Sequence, residues 1–287
     1  MPMRLIEGTY RVIGSQPDGD SIRFYPNNLS EWALVDGPHQ VQTNTKGGAQ
    51  LRLDGIDALE THYSTAAGIL HQPLELAQAA AKELLDWLGF SKVVRSAAQT
   101  VTAATPESLP GYIFTRTADL YGRCVALAGR GAAPGPSGSN SFVDPAMLRK
   151  TANYRLLQRG LAYPTYYRNL FPDLRAEMTK AVGKARPTKG LWPLDETQTG
   201  AKIEGLPTLE DEAVILPKLY RRLADYLVLN DGDPSLAAFP TYLAQRRDRF
   251  FILSTGHATT GLDFVVSVTD QTVKLTFQPE DLVFDER

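Results

Sequence analysis

The segment AQLRLDGID, residues 49–57, constrains the fold of this 287-residue chain more tightly than any other stretch. Leu51, Leu53 and then Ile56 follow the two-residue period of a half-buried strand, and Gly55 supplies a turn at its end. Arg52, Asp54 and Asp57 fall within this segment, and Glu60 follows three residues later, so all four lie within nine positions. One face of the strand therefore goes into a core while its end carries one basic and three acidic groups.

The surrounding elements have similarly clear punctuation. TYRVIG and SIRFY read as two short strands joined by a Pro-Asp-Gly-Asp turn. QPLELAQAAAKELLDWLGF is a helix: Pro73 suits its first turn, Leu74, Ala77, Ala81, Leu84, Leu85 and Leu88 form one stripe, and Gly89 suits its C-terminal cap. Strands are expected on both sides of the DLYGR turn, followed by a Gly/Pro/Ser-rich loop over 131–140. Two more helices follow, one ending at Gly160 and one through FPDLRAEMTKAVGKA, before a polar connector. A boundary is placed near residue 200. Beyond it, Leu216, Leu219, Leu223 and Leu227 have helical spacing, and RFFILS, DFVVSVTD and TVKLTFQ read as strands, giving a small α+β extension.

Composition narrows the class. A hydrophobic content of 43% is enough to bury a core. No signal-like apolar region opens the sequence and no run nears the roughly 20 apolar residues of a membrane helix, so the expectation is a cytoplasmic protein without membrane contact. Signal-less secretion is compatible with the same sequence. The single cysteine, Cys124, forms no intramolecular disulfide and reads as a small buried side chain. Four scattered histidines lack zinc-ligand spacing, and His62 reads as a surface residue. Net charge is -2, split between +3 for residues 1–200 and -5 for residues 201–287. Any contact with nucleic acid must therefore use a few placed arginines instead of a broad basic face.

Three charged pieces lie next to strand ends: Asp18 and Asp20; Arg52, Asp57 and Glu60; Asp119 and Arg123. Carboxylates from separate strand ends can converge on a hard cation such as calcium. Arginine forks suit phosphate, and a spare acid can position or deprotonate water. Taken singly, each piece also has a plainer reading, as turn residues or an exposed ion pair. Asp231 and Asp233, in the superficially similar NDGDPS, read as turn residues only.

The combination is more specific. With DGDSI, RLDGIDALETH, DLYGR, NYRLLQRGLAY and KGLWP in that order, residues about 8–195 resemble the staphylococcal nuclease (thermonuclease) family. The resemblance covers about two thirds of the chain. It implies an OB-fold five-stranded β-barrel with about three helices, one bound Ca2+, and hydrolysis of DNA and RNA to products with 3′-phosphates. Asp20, Asp57 and the backbone carbonyl of Ala58 would ligate calcium, with Asp18 and Asp119 as supporting acids. Glu60 would orient or deprotonate water, while Arg52 and Arg123 would bind the scissile phosphate. Tyr166 falls where the family often has a tyrosine near the nucleotide. Leu59 departs from the usual proline, a change expected to loosen the placement of Glu60, and the 95–118 and 131–140 segments are longer than a compact member needs.

Two other readings accompany the nuclease one. The first is a non-catalytic OB-fold module binding nucleic acid, single strands by preference. The second places the role in residues 201–287, as a unit that restrains or targets a nuclease, binds a protein partner or self-associates. Restraint predicts that removing residues 201–287 raises activity.

Overall fold

The computed structural model describes residues 2–285. Five strands close a barrel: β1 (Met3–Arg11), β2 (Ser21–Pro26), β3 (Ala49–Leu53), β4 (Ser108–Ala118) and β5 (Cys124–Arg130). They run in the order β1-β2-β3-β5-β4, and β4 returns to pair with β1 along nearly its whole length. Only the β3–β5 pair is parallel. The fold is thus α+β with a closed five-stranded barrel at its core, consistent with an OB-like fold.

Local sequence explains this arrangement. In β3 the alternation Ala49, Leu51, Leu53 is buried, as its period requires. β5 is buried from Cys124 to Gly129 because barrel interior covers one face and neighbouring elements the other. Burial also pushes the Cys124 thiol up to about 12, so it stays neutral. Helix α1 (Leu74–Leu88) buries the expected stripe except Leu74, which is half-buried, and adds Ala80; Gly89 closes it in the left-handed region at φ 114°. Asn153, on α2 (Ala152–Arg159), is fully buried. Its Nδ2 donates to the carbonyls of Asp54 at 2.8 Å and Ala126 at 3.0 Å, and its Oδ1 accepts from the Ala128 amide at 2.9 Å. One side chain thereby joins the end of β3 to β5, beside the charged segment. Helix α3 (Pro172–Ala185) packs against α2.

The first hairpin is looser than a tight Pro-Asp-Gly-Asp turn. β1–β2 pairing begins at Tyr10 with Phe24, leaving Asp18 and Asp20 in a loop folded over the barrel end. Leu59 lies in the core at 1% exposure, so leucine here anchors the turn before Glu60 by burial where proline would restrict it by φ. The 131–140 loop is tied to β1 by the Gly138 amide, which donates to the Leu5 carbonyl at 2.8 Å.

Residues on both sides of position 200 contribute to one continuous hydrophobic core. Strand Leu282–Asp285, which no sequence pattern pointed to, lies between Tyr166–Tyr167, to which it is parallel, and Arg249–Ile252. Arg186 grips Glu280 with both terminal nitrogens, at 2.7 and 2.8 Å. Helix α4 (Pro217–Leu229) starts at Pro217 and docks beside the barrel. There the Tyr220 hydroxyl donates to the His71 carbonyl at 2.7 Å and Gln72 Nε2 donates to the Ile215 carbonyl at 2.9 Å. Among the described residues no helix is long and apolar enough to cross a membrane.

Candidate active site

The docked C-terminal region leaves a cleft of about 860 Å³ against the barrel end. Asp18, Arg52, Glu60, Asp119 and Arg123 line it from the barrel side, and Lys218, Arg221 and Arg222 from α4. Half-buried Asp20 and buried Asp57 lie close by, and their charges act on each other and on Glu60.

The Asp18–Asp20 loop can reach this place because residue 19 is glycine. A Cβ at Gly19 would stand 2.4 Å from the Ala58 Cβ and 2.7 Å from the Ala80 Cβ. Asp20 Oδ2 accepts from the Ala58 amide at 3.4 Å, and Asp18 Oδ1 accepts from the Asp20 amide at 3.2 Å. Arg95 steadies the loop through the Pro17 carbonyl at 2.9 Å. At the opposite edge, Gly122 takes φ 76° in the DLYGR turn, the left-handed region glycine adopts without strain. Buried Asp119 accepts there from the Tyr121 and Arg123 amides and from Arg123 Nε at 2.6 Å. That carboxylate holds the Arg123 side chain toward the cleft.

Arg52 is positioned by a residue the motifs did not single out. Its Nη2 donates to the Tyr167 hydroxyl at 3.2 Å, and its guanidinium lies 5.3 Å from the Tyr167 ring centroid. Tyr166, expected near the nucleotide, does not line the cleft. It is wholly buried, its hydroxyl bonded to Thr179 Oγ1 at 2.9 Å and to the Arg175 carbonyl at 3.2 Å. Successive residues of a strand face opposite ways, so the tyrosine that reaches Arg52 is the neighbour.

The largest departure from expectation is Arg221. Its Nη2 donates to Asp57 Oδ2 at 2.7 Å, and its Nη1 to Asp57 Oδ1 at 3.2 Å and Glu60 Oε1 at 2.5 Å. Both carboxylates assigned to metal binding and water activation thus hold a guanidinium from the C-terminal region. Nothing in residues 8–195 could have pointed to it. The doubled arginine in LYRRLAD, on the flank of an apolar helical stripe, was the available signal.

The electrostatics follow from these contacts. Burial works against the charged form of Asp57, but Arg221 and Arg52 outweigh it and hold this carboxyl below its usual range. Burial raises Glu60, and Arg221 offsets only part of that rise. Asp20 is raised well above the usual range by burial, reinforced by Asp18 and Asp57. The calcium ligands expected from the resemblance therefore do not form a ready cage. Both oxygens of Asp57 are engaged by Arg221, and among the described residues no group of three or more His, Cys, Asp or Glu side chains is disposed to hold a metal. Asp54, the acid without an assigned role, is buried at the end of β3, where its backbone bonds to Asn153 and Ala126.

No protein-family model matches this chain, and no curated protein matches it.

Proposed function

We propose that the chain is a phosphodiesterase of the staphylococcal nuclease type, built on an OB-fold barrel and acting on DNA or RNA. The observation that carries this reading is that Arg52 and Glu60, from β3 and the segment just after it, and Arg123, from the distant DLYGR turn, line one cleft. Two arginine forks and one carboxylate are the groups that hydrolysis of a phosphodiester needs from the protein. Arg52 and Arg123 would hold the scissile phosphate and neutralise the charge of its five-coordinate transition state, where pre-placed donors contribute most. Glu60 would take a proton from water as the water oxygen bonds to phosphorus. The P–O5′ bond then breaks, leaving a 3′-phosphate, and the departing 5′-oxygen takes its proton from solvent.

Exposed arginines support a polyanionic substrate. Arg246, Arg247 and Arg249 line the far wall of the cleft, although their region carries net negative charge. Single strands suit a cleft lined by arginines on both sides. Calcium does not fit the carboxylates as Arg221 holds them, so no step is assigned to it. It is proposed as a cofactor only for a state in which Arg221 has withdrawn. That contact also favours a second reading, in which residues 201–287 restrain the site.

The test is incubation of the purified chain with single-stranded DNA and RNA in calcium, in magnesium and in chelator, beside Arg52→Ala. Cleavage lost in the variant supports the proposal. Absence of cleavage in every condition, with nucleic acid still bound by folded protein, would replace it with the binding-module reading.

A further inference from the structure

The carboxylates of Asp18, Asp57 and Glu60 all act on Asp20 at this barrel end, where Arg221 bonds to Asp57 and Glu60. Arg52, half-buried beside them, also donates to Tyr167. Arg221 is the group that holds Asp57 and Glu60 directly, and its side chain is only 19% exposed. Such a pair is costly to break from one side, because the remaining carboxylate is left buried without its counter-charge.

The mount of Arg221 is firm. One residue earlier on α4, Tyr220 is fully buried, bonds to the His71 carbonyl and meets the Tyr63 ring edge-on at 6.1 Å. One turn later, Asp225 accepts from the Tyr63 hydroxyl at 2.9 Å. Gln72 completes the link, donating to Ile215 just ahead of the helix and accepting from the Glu60 amide at 3.2 Å. The helix that carries Arg221 is therefore tied to the backbone that carries Glu60.

We infer that Arg221 is the built-in cation of this site, holding Asp57 and Glu60 in place of a divalent ion, so that calcium binds tightly only once this guanidinium is removed. A guanidinium forms directional bonds with both oxygens of Asp57. Calcium needs six to eight oxygens at about 2.3–2.6 Å and cannot share those lone pairs with Arg221. Removing Arg221 frees both oxygens of Asp57 and Oε1 of Glu60, and carboxylate oxygens are the donors a hard cation favours. The inference concerns the same site as the proposed hydrolysis, and it rests on the carboxylates assigned there, not on turnover.

The experiment is calorimetric titration of the full-length chain with CaCl2, comparing wild type, Arg221→Met, Arg221→Gln and Arg221→Met combined with Asp57→Asn. Circular dichroism and melting in chelator establish folding. The expected result is at least tenfold tighter calcium binding in a folded Arg221 variant than in wild type, a melting temperature that rises with calcium in that variant alone, and loss of both gains with Asp57→Asn. Calcium binding by wild type as tight as by a folded Arg221 variant would overturn the inference. So would a gain that survives Asp57→Asn. If neither Arg221 variant folds, wild type decides: saturable calcium binding at micromolar concentration, abolished by Asp57→Asn, overturns the inference, and its absence up to millimolar calcium upholds it. A calcium gain without cleavage of nucleic acid would sink the hydrolytic reading and leave this one standing.

Discussion

The Tyr167 hydroxyl accepts from Arg52 Nη2 at 3.2 Å while its ring faces the same guanidinium at 5.3 Å. These contacts restrict a long side chain that would otherwise sample many rotamers, and they come from a strand 115 residues away in sequence. Arg52→Lys keeps the charge but loses the fork, and a drop of roughly 10²–10³ in kcat is expected, the size seen when one transition-state donor is removed. Tyr167→Phe keeps the ring and loses one hydrogen bond, so kcat/KM should fall only about three- to tenfold. Steady-state hydrolysis of a single-stranded oligonucleotide measures both. Equal losses in the two variants would show that Tyr167 does more than position Arg52.

Glu60 should leave its mark on the pH profile. Burial raises its carboxyl and Arg221 offsets part of the rise. A base must be ionised to act, so activity measured in chelator should fall on the acid side at a higher pH than an ordinary glutamate, near 4.3, would allow. Arg221→Met removes the offset and should move that limb further up. Glu60→Gln should lower turnover roughly 10²–10⁴-fold with binding retained. An acid limb that stays in place in Arg221→Met would assign it to another group.

The barrel was legible because its signals are local. The β3 alternation, the DLYGR turn and the helix between Pro73 and Gly89 each depend on residues close in sequence. The charged groups from the barrel were legible for the same reason, since each sits beside a strand end. Arg221, Tyr167 and strand Leu282–Asp285 were not, because their roles come from long-range docking. Tyr166 and Tyr167 show the limit sharply: the motif located the pair, and only the strand's alternation decided which one faces Arg52.

Asp20 should be a site of stored instability. Its carboxyl is raised well above the usual range, first by burial and then by Asp18 and Asp57. A group with a raised folded pKa contributes stability below its unfolded pKa and loses it as pH rises through the folded value. Asp20→Asn should therefore melt higher than wild type at pH 7 in chelator. A rise of roughly 2 °C or more is expected, the shift that about 1 kcal/mol produces in a chain of this size. The gain should shrink as pH falls toward 4. A variant that melts lower at pH 7 would show that ionised Asp20 is well compensated.

Deletion of residues 201–287 no longer serves as a clean test of restraint. It removes strand Leu282–Asp285 from Tyr166–Tyr167 and Glu280 from Arg186, and it uncovers core shared across position 200. The expected outcome is an aggregating or partly unfolded chain, seen as lost near-ultraviolet circular dichroism and a broadened melt. A truncation that melts cooperatively at the wild-type temperature would show that the barrel stands alone.

Arg246, Arg247 and Arg249 should act on substrate binding more than on chemistry. All three are exposed on the cleft wall, and among the described residues none forms a salt bridge; Arg246 only leans on the Tyr242 ring at 5.8 Å. Arginines placed this way can meet phosphates flanking the scissile one. Each phosphate contact on a single strand contributes about 0.7 to the slope of log K against log salt, so replacing all three by alanine should flatten that slope by about 2. Affinity for a long single strand should fall, while kcat at saturation and the affinity for a dinucleotide too short to reach this wall stay near wild type. Fluorescence anisotropy at several salt concentrations, with both lengths, separates these effects. An unchanged slope would remove the far wall from the substrate path and confine recognition to Arg52 and Arg123.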